Sequence, residues 1–267
     1  MMVIKPVLSR NKYIERLVYP RDLLRELVGR DMKLRYKRSV LGIVWSLINP
    51  LAQLVVFSFV FGLVLPLNIP NYASFVFAGL LVWTWFQLSL FQATGAIVDN
   101  RDLIRRPGFP AAVLPIVTVS THFVHFVLAL PILLVFLWFE GNLLTATVLV
   151  LPLLIALQFL FTLSLSYIVA IWHVSFRDTQ HLLGIALLLV FYLTPIFYDA
   201  SFVPDVYRPI YNLNPMVQLV SAYRAVLLHG ELPAVKPMLT IGLFTLLLLF
   251  TGYRLFIHAS YRFVEEL

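Results

Sequence analysis

The stretch Arg21 to Arg38, RDLLRELVGRDMKLRYKR, is dense in charge, and the stretch that follows it, opening SVLGIVWSLINPLAQLVV at Ser39, has none. From Ser39 to Val98, 60 residues pass without an Asp, Glu, Lys or Arg. About 20 apolar residues in a helix cover the hydrocarbon core of a bilayer, so a run of this length reads as more than one crossing. Lys and Arg collect on the cytoplasmic side of membrane proteins, so the same junction orients the chain, with its N-terminal segment inside.

Composition extends this reading to the whole chain. Its 267 residues are 61% hydrophobic and 12% charged, with a mean hydropathy of +0.90. A soluble domain carries roughly 25% charged residues. The expected class is therefore an all-α polytopic membrane protein with no room for a sizeable soluble domain. The net charge of +7 then reflects topology and contact with anionic headgroups rather than nucleic-acid binding. There are no cysteines, which excludes disulfides, thiolate metal sites and cysteine nucleophiles. The segment before Arg38 lacks an early apolar core followed by small residues, so no cleaved signal peptide is expected.

Charge-free runs predict six spans: Val40 to Leu65, Tyr72 to Ile97, Ala111 to Phe139, Leu143 to Val174, Gln180 to Tyr198, and Pro237 to Tyr253. The breakers Pro66-Leu67-Asn68-Ile69-Pro70-Asn71 part the first two, and Glu140-Gly141-Asn142 parts the third and fourth. Six crossings place both termini in the cytoplasm. Predicted inner segments then hold 17 of the 20 basic residues, leaving only Arg208, Arg224 and Lys236 outside. Residues 199–231, between the fifth and sixth spans, form more than a loop. Asn214-Pro215 has the chemistry of a helix start and Gly230 that of a stop. The intervening helix is short and contains Arg224, so a re-entrant hairpin on the outer side is expected; the alternative is a seventh crossing. Two units follow: residues 1–38, a cytoplasmic N-terminus with an amphipathic interface helix, and residues 39–267, a single six-helix membrane domain.

Two charged segments stand out. From Arg21 to Arg38, Leu24, Val28, Met32 and Tyr36 recur every fourth residue, with Leu23 and Leu27 beside them, flanked by Arg25, Arg30, Lys33, Arg35 and Arg38. Such a helix lies in the interface plane, either as a plain anchor or as a docking platform. The second is the cytoplasmic loop 98–110, where Arg101, Asp102, Arg105 and Arg106 surround Leu103 and Ile104, with Phe109 after a Pro-Gly stop. A solvated loop has little use for that apolar trio, and a short helix lying on a partner protein explains charges and apolar residues together.

Other chemistry is sparse. The chain lacks a G-x-x-x-x-G-K-[ST] phosphate loop, H-E-x-x-H, an EF-hand loop and G-x-S-x-G. The spans contain no acidic side chain to carry proton or sodium coupling. His122 and His125, a turn apart in the third span, read as a metal or proton-relay pair or, without a nearby carboxylate, as interhelical hydrogen-bonding groups. Asn49, Gln53, Gln87, Gln92 and Gln158 either line a polar path or tie helices together. The aromatics, 15% of the chain, read either as an interfacial belt or as the wall of a conduit. Asp199 and Asp205 are the outer acidic pair that a membrane glycosyltransferase or phosphotransferase would require.

Leu41-Gly42-Ile43-Val44-Trp45 after the basic helix, the Leu-Ile-Arg-Arg…Phe-Pro pattern within Asn100 to Pro110, Phe176-Arg177-Asp178, Thr194-Pro195-Ile196-Phe197-Tyr198, and Asn214-Pro215-Met216 with Arg224 occur in this order. The set resembles the type-2 ABC export permeases for lipid-linked polysaccharides, the O-antigen and teichoic acid transporters. The resemblance implies a homodimer in the bacterial inner membrane, working with two copies of a separate ATPase that binds ATP and Mg; this chain itself would hold no cofactor, no metal and no catalytic residue. Arg101, Asp102, Leu103, Ile104, Arg105 and Arg106 would couple to the ATPase, with Arg177 and Asp178 on a second loop and Arg25, Arg30, Lys33, Arg35 and Arg38 on the interface helix. A channel for glycan on an undecaprenyl diphosphate carrier would form between the two copies. Its candidate lining is Trp45, Asn49, Gln53, Trp83, Trp85, Phe191, Tyr192, Phe197 and Tyr198. Asn214, Pro215 and Arg224 would belong to the outer hairpin. A drug or small-lipid exporter of the same type is the alternative.

Overall fold

A computed structural model describes residues 12–141 and 145–266, with side chains from residue 21 onward. The expected segment before Lys12, the turn residue Asn142 and the first residues of the fourth predicted span lie outside this range. Every element is helical among the described residues.

Helix α1 (Lys12–Tyr36) carries the basic stretch and ends as Arg38 turns left-handed, at φ 65°. A single turn, Gly42–Val44, leads into α2 (Trp45–Phe57), which contains Pro50 and is continued by a widened π turn over Ser58–Val64. The wide turn places the amide of Leu65 on the carbonyl of Val60, at 2.7 Å, and so closes the segment. The unit Gly42–Val64 is long and apolar enough to span, and little of it is buried. Helix α3 (Tyr72–Gly95) starts after Pro70 and a left-handed Asn71, and most of its residues are buried. The four-residue α4 (Arg101–Ile104) follows, then α5 (Val113–Phe139) and α6 (Leu151–Ser175), the latter preceded by a tight turn over Ala146–Val150.

Among the described residues, five units have the length and apolarity of membrane spans: Gly42–Val64, Tyr72–Gly95, Val113–Phe139, Ala146–Ser175 and Val235–Ser260. Where a sixth was predicted, α7 (Thr179–Tyr192) stops after 14 residues, about 21 Å at 1.5 Å per residue, short of a full hydrocarbon core. The helix stops short of the predicted end at Tyr198 for a local reason. Pro195 has no amide hydrogen, and a residue before proline avoids the helical region, so residues 193–198 leave the helix. Short α8 (Arg208–Tyr211) then precedes α9 (Pro215–Arg224), whose first turn is capped as the sequence suggested. Asn214 Oδ1 accepts from the Met216 amide at 3.0 Å. A π turn over Ala225–His229 ends at left-handed Gly230. Helix α10 (Val235–Ser260) and the four-residue α11 (Phe263–Glu266) complete the fold.

Helix α3 is the axis of the bundle, packed by α5, α6 and α9. Transmembrane helices gain little from hydrophobic exclusion and associate where small residues let backbones meet. The α6–α10 pair follows this rule: a Cβ on Gly252 would lie 2.9 Å from the carbonyl oxygen of Ser164. Helix α9 is buried around most of its length, with Met216, Leu219, Val220 and Tyr223 all enclosed, so it is inserted among the other helices rather than laid across them.

Candidate functional site

Helix α1 is fixed to the bundle by polar contacts as well as by its apolar stripe. Leu27 is buried and Leu23, Leu24, Val28, Met32 and Tyr36 are half-buried, whereas Arg25, Arg30, Lys33, Arg35 and Arg38 are exposed. Tyr36 Oη lies 3.0 Å from His125 Nε2 on α5. Arg35 donates to the Gln92 Oε1 of α3, and His122 Nε2 sits 2.7 Å from the same oxygen. Arg30 Nη2 donates to Asn100 Oδ1 at 2.7 Å, and Asn100 in turn donates to the carbonyl of Ala96. The two histidines therefore act as interhelical hydrogen-bonding groups. The sequence named them and Gln92, but it held no signal pairing them with the end of α1. A cavity of about 300 Å³ opens beside the network, lined by Arg35, Tyr36, Trp45, Asn49, Thr84 and His125 among others.

The loop after α3 corrects one expectation. Arg101, Asp102, Arg105 and Arg106 are exposed, but Ile104 is only 8% exposed, and Leu103 and Phe109 pack against the core of this same chain. The apolar residues anchor α4 to its own bundle, and the charged ones face away from it. Ile104 is thus turned into its own bundle, and Leu103 is half-buried. Arg177 and Asp178 are exposed in the turn between α6 and α7.

Of the candidate channel residues, Trp45, Asn49 and Gln53 share one face of α2, where Gln53 Nε2 reaches Asn49 Oδ1 at 3.4 Å. Trp45 is 54% exposed and Tyr192, on α7, 58%. Behind them stands an aromatic stack. Phe57 and Phe61 of the first span lie nearly parallel to Phe197, with centroids 5.4 and 5.2 Å away, and Phe191 lies 6.0 Å from Phe197. Tyr198 donates to the Tyr192 carbonyl and accepts from Tyr211. Phe57 and Phe61 were not singled out in the sequence, although their helical spacing with Gln53 is visible once the face is known. Trp83 and Trp85 do not belong to an exposed wall. Both are at most 2% exposed. Trp83 backs Phe191 from inside and donates to Gln87, while Trp85 packs among Phe123, Phe126 and Phe159 and donates to the Val119 carbonyl. Each has an indole N–H that needs a partner when buried, and each finds one inside this chain.

The segment 199–231 turns on Arg224. Its guanidinium is buried and donates to three backbone carbonyls: Phe75 at 3.1 Å, Pro195 at 2.5 Å and Ile196 at 2.7 Å. Two of those carbonyls lie where α7 has broken, so the cation takes the place of missing helix donors. It also lies over the Phe75 ring. Room for this contact comes from Gly79, where a Cβ would stand 2.8 Å from Arg224 Nη2 and 3.2 Å from the Ile196 oxygen. Asn214 adds a second tie, donating to Thr194 Oγ1 at 3.0 Å. Pro215 fills the first turn of α9.

The carboxylates of Asp199 and Asp205 are separately engaged. Asp205 pairs with Arg208 at 2.8 Å, and Asp199 Oδ1 accepts from the Ser201 amide at 2.8 Å. Partial burial opposes ionisation of Asp199, but its bonds from Ser201 and the charges of Arg224 and His229 outweigh this and hold its carboxyl below its ordinary range. Nothing draws the two into a shared catalytic pair. No group of three or more His, Cys, Asp or Glu suited to a metal gathers among the described residues.

A profile of the ABC-2 type transporter family matches residues 22–228. The chain is 37% identical over 258 residues to the O-antigen export system permease protein RfbA of Myxococcus xanthus, covering 96% of this chain and 99% of that one. It is 33% identical over 253 residues to the protein of the same name from Klebsiella pneumoniae, covering 94% of this chain and 97% of that one. The polysialic acid transport protein KpsM of Escherichia coli is 24% identical over 231 residues, 85% of this chain and 89% of that one.

Proposed function

The chain belongs to the ABC-2 type transporter family, and from that premise we propose that it is the membrane subunit of an exporter that carries a polysaccharide of the O-antigen class across the bacterial inner membrane. The observation that carries the reading is similarity over nearly the full length to permeases named for O-antigen export. The finer reading is that the cargo rides on undecaprenyl diphosphate, that two copies of this chain form the path, and that two copies of a separate ATPase drive it with ATP and Mg. The absence of a phosphate loop from the sequence supports this division of labour.

Six crossings with both termini in the cytoplasm agree best with the distribution of basic residues, α7 and its non-helical continuation serving as the fifth. Residues 199–231 then form the outer re-entrant hairpin, and Arg224 ties it to the break in α7. Irregular backbone at that depth is tolerated where protein groups satisfy it, and the three carbonyls bonded by Arg224 meet that condition.

A polysaccharide is longer than a bilayer is thick, so no single occluded cavity can enclose it; a continuous path suits it. The exposed faces of α2 and α7 are the surfaces for a second copy. They bring Trp45, Asn49, Gln53 and Tyr192 to the path, with the Phe57–Phe61–Phe191–Phe197 stack giving it a stiff wall. Amides meet sugar hydroxyls, ring faces meet sugar C–H groups, and the absence of fixed charge keeps each contact weak enough for sliding. Arg35, beside the cavity that also meets Trp45 and Asn49, suits the charged diphosphate end at entry. The exposed Arg101, Arg105, Arg106 and Arg177 form the surface that meets the ATPase.

Deletion of the corresponding gene tests this reading. The expected result is loss of surface glycan with accumulation of lipid-linked glycan in the cytoplasm, restored by the intact chain. Unchanged surface glycan with intracellular accumulation of a drug or small lipid would instead assign the chain to that branch of the family.

A further inference from the structure

We propose that α11 is a bracket that fixes the two ATPase-facing loops relative to each other, with Phe263 as its positioning residue; this rests on the reading that those loops meet an ATPase. Helix α4 has four residues, and isolated helices need about 12–15 to be even marginally stable in water. Its shape must therefore come from what it packs against, and α11 packs on it. Helix α11 also packs on α6, whose end leads into Arg177 and Asp178, and Ser175 Oγ of that end donates to Glu266 Oε2 at 3.4 Å. One short element thus touches α4 and the end of α6 from which the second charged turn leaves.

Within α11 a single residue is driven inward. Phe263 is 1% exposed, whereas Val264 is 54% exposed and Glu265 and Glu266 lie outside. Phe263 belongs to the same buried cluster as Ile104, the residue that anchors α4. Its ring meets Phe256 of α10 edge-on at 5.3 Å, and Phe256 lies 5.1 Å from the Tyr167 ring of α6. Tyr167 Oη donates at 3.1 Å to the carbonyl of Ala112, the residue just before α5. The segment between α3 and α5 is therefore held at α4 by α11 and at its far end by Tyr167, and Phe256 joins the two holds through α10 and α6. A push on the exposed Arg101, Arg105 and Arg106 has a rigid route into α10 and α6, besides the covalent one into α3 and α5.

The test uses the full-length permease together with the ATPase that co-purifies with it, comparing glycan moved per ATP hydrolysed. The Phe263→Ala protein is expected to insert, dimerise and retain its ATPase, with hydrolysis within roughly twofold of wild type and glycan moved per ATP lowered by about tenfold. Phe263→Leu, which refills much of the space, should recover part of the loss, and Val264→Ala should behave as wild type. A Phe263→Ala protein with wild-type yield per ATP overturns the bracket, as does a loss equal to that of Val264→Ala. Should Phe263→Ala fail to insert, Phe263→Leu carries the test: a lowered yield per ATP supports the bracket and an unchanged one overturns it. Wild-type permease that co-purifies with no ATPase overturns the docking reading on which the bracket rests.

Discussion

Gly79 and Arg224 should behave as one unit, because the absent side chain of the first makes the space that the second occupies. Placing a methyl on Gly79 puts carbon 2.8 Å from Arg224 Nη2 and 3.2 Å from the Ile196 oxygen, both inside ordinary contact distance. Either the guanidinium or the backbone of residue 196 must yield. Overpacking of this kind costs about 1–3 kcal/mol. Arg224→Ala removes three hydrogen bonds from a charged donor, each worth about 1.5–3 kcal/mol. It also removes the several kcal/mol spent in burying the charge, so a net loss of about 2–4 kcal/mol is expected. In the double variant the closest clash has gone with the guanidinium and only the Ile196 contact remains. The two effects should then fall short of additivity by at least about 1 kcal/mol, as for residues in contact. Reversible unfolding of the purified permease in mixed micelles, titrated with a denaturing detergent, measures all four corners of the cycle. A neutral Gly79→Ala, or two effects that simply add, would show that the two residues do not share this space.

Three further outcomes follow from the placement of particular residues. Reversing Arg105 and Arg106 to Glu should abolish glycan export while insertion and dimerisation, read by membrane fractionation and cross-linking, stay normal, since both side chains point away from the bundle. Trp85→Ala should destabilise the fold by about 3–5 kcal/mol, as expected for an emptied aromatic site, whereas Trp45→Ala should leave detergent stability within about 0.5 kcal/mol and lower export instead. Gly252→Val should part α10 from α6, because even a Cβ meets the Ser164 carbonyl at 2.9 Å, and should be seen as a lowered unfolding midpoint.

Much of this was legible before the fold was known, and for physical reasons. The charge-free runs set the five long spans because a bilayer requires length and apolarity, and both are properties of sequence. The cap at Asn214 and the stop at Gly230 were legible because capping is local. The stripe of α1 was legible from its spacing, with Leu27 now its most buried member. Direction was harder to read. Leu103 and Ile104 called for an apolar surface, and the sequence could not say whether a partner or the chain itself supplies it; α11, 160 residues later, does so in part. Trp83 and Trp85 had the composition of a conduit wall, but α3 is the axis of the bundle, and the helices surrounding it come from distant parts of the chain. The early stop of α7 was visible in Pro195, although apolarity continuing to Tyr198 outweighed that signal. The partners of Arg224 are backbone carbonyls, which leave no mark in a sequence.

On the proposed function, this chain is a glycan path that moves its cargo only when a separate ATPase drives it. Vesicles holding the purified permease with its co-purified ATPase, and vesicles holding the permease alone, can be loaded with labelled lipid-linked glycan on the ATPase-facing side and assayed for glycan reaching the opposite side. Transfer is expected only where permease, ATPase and ATP are all present. Transfer by the permease alone, or none with all three together, would contradict it.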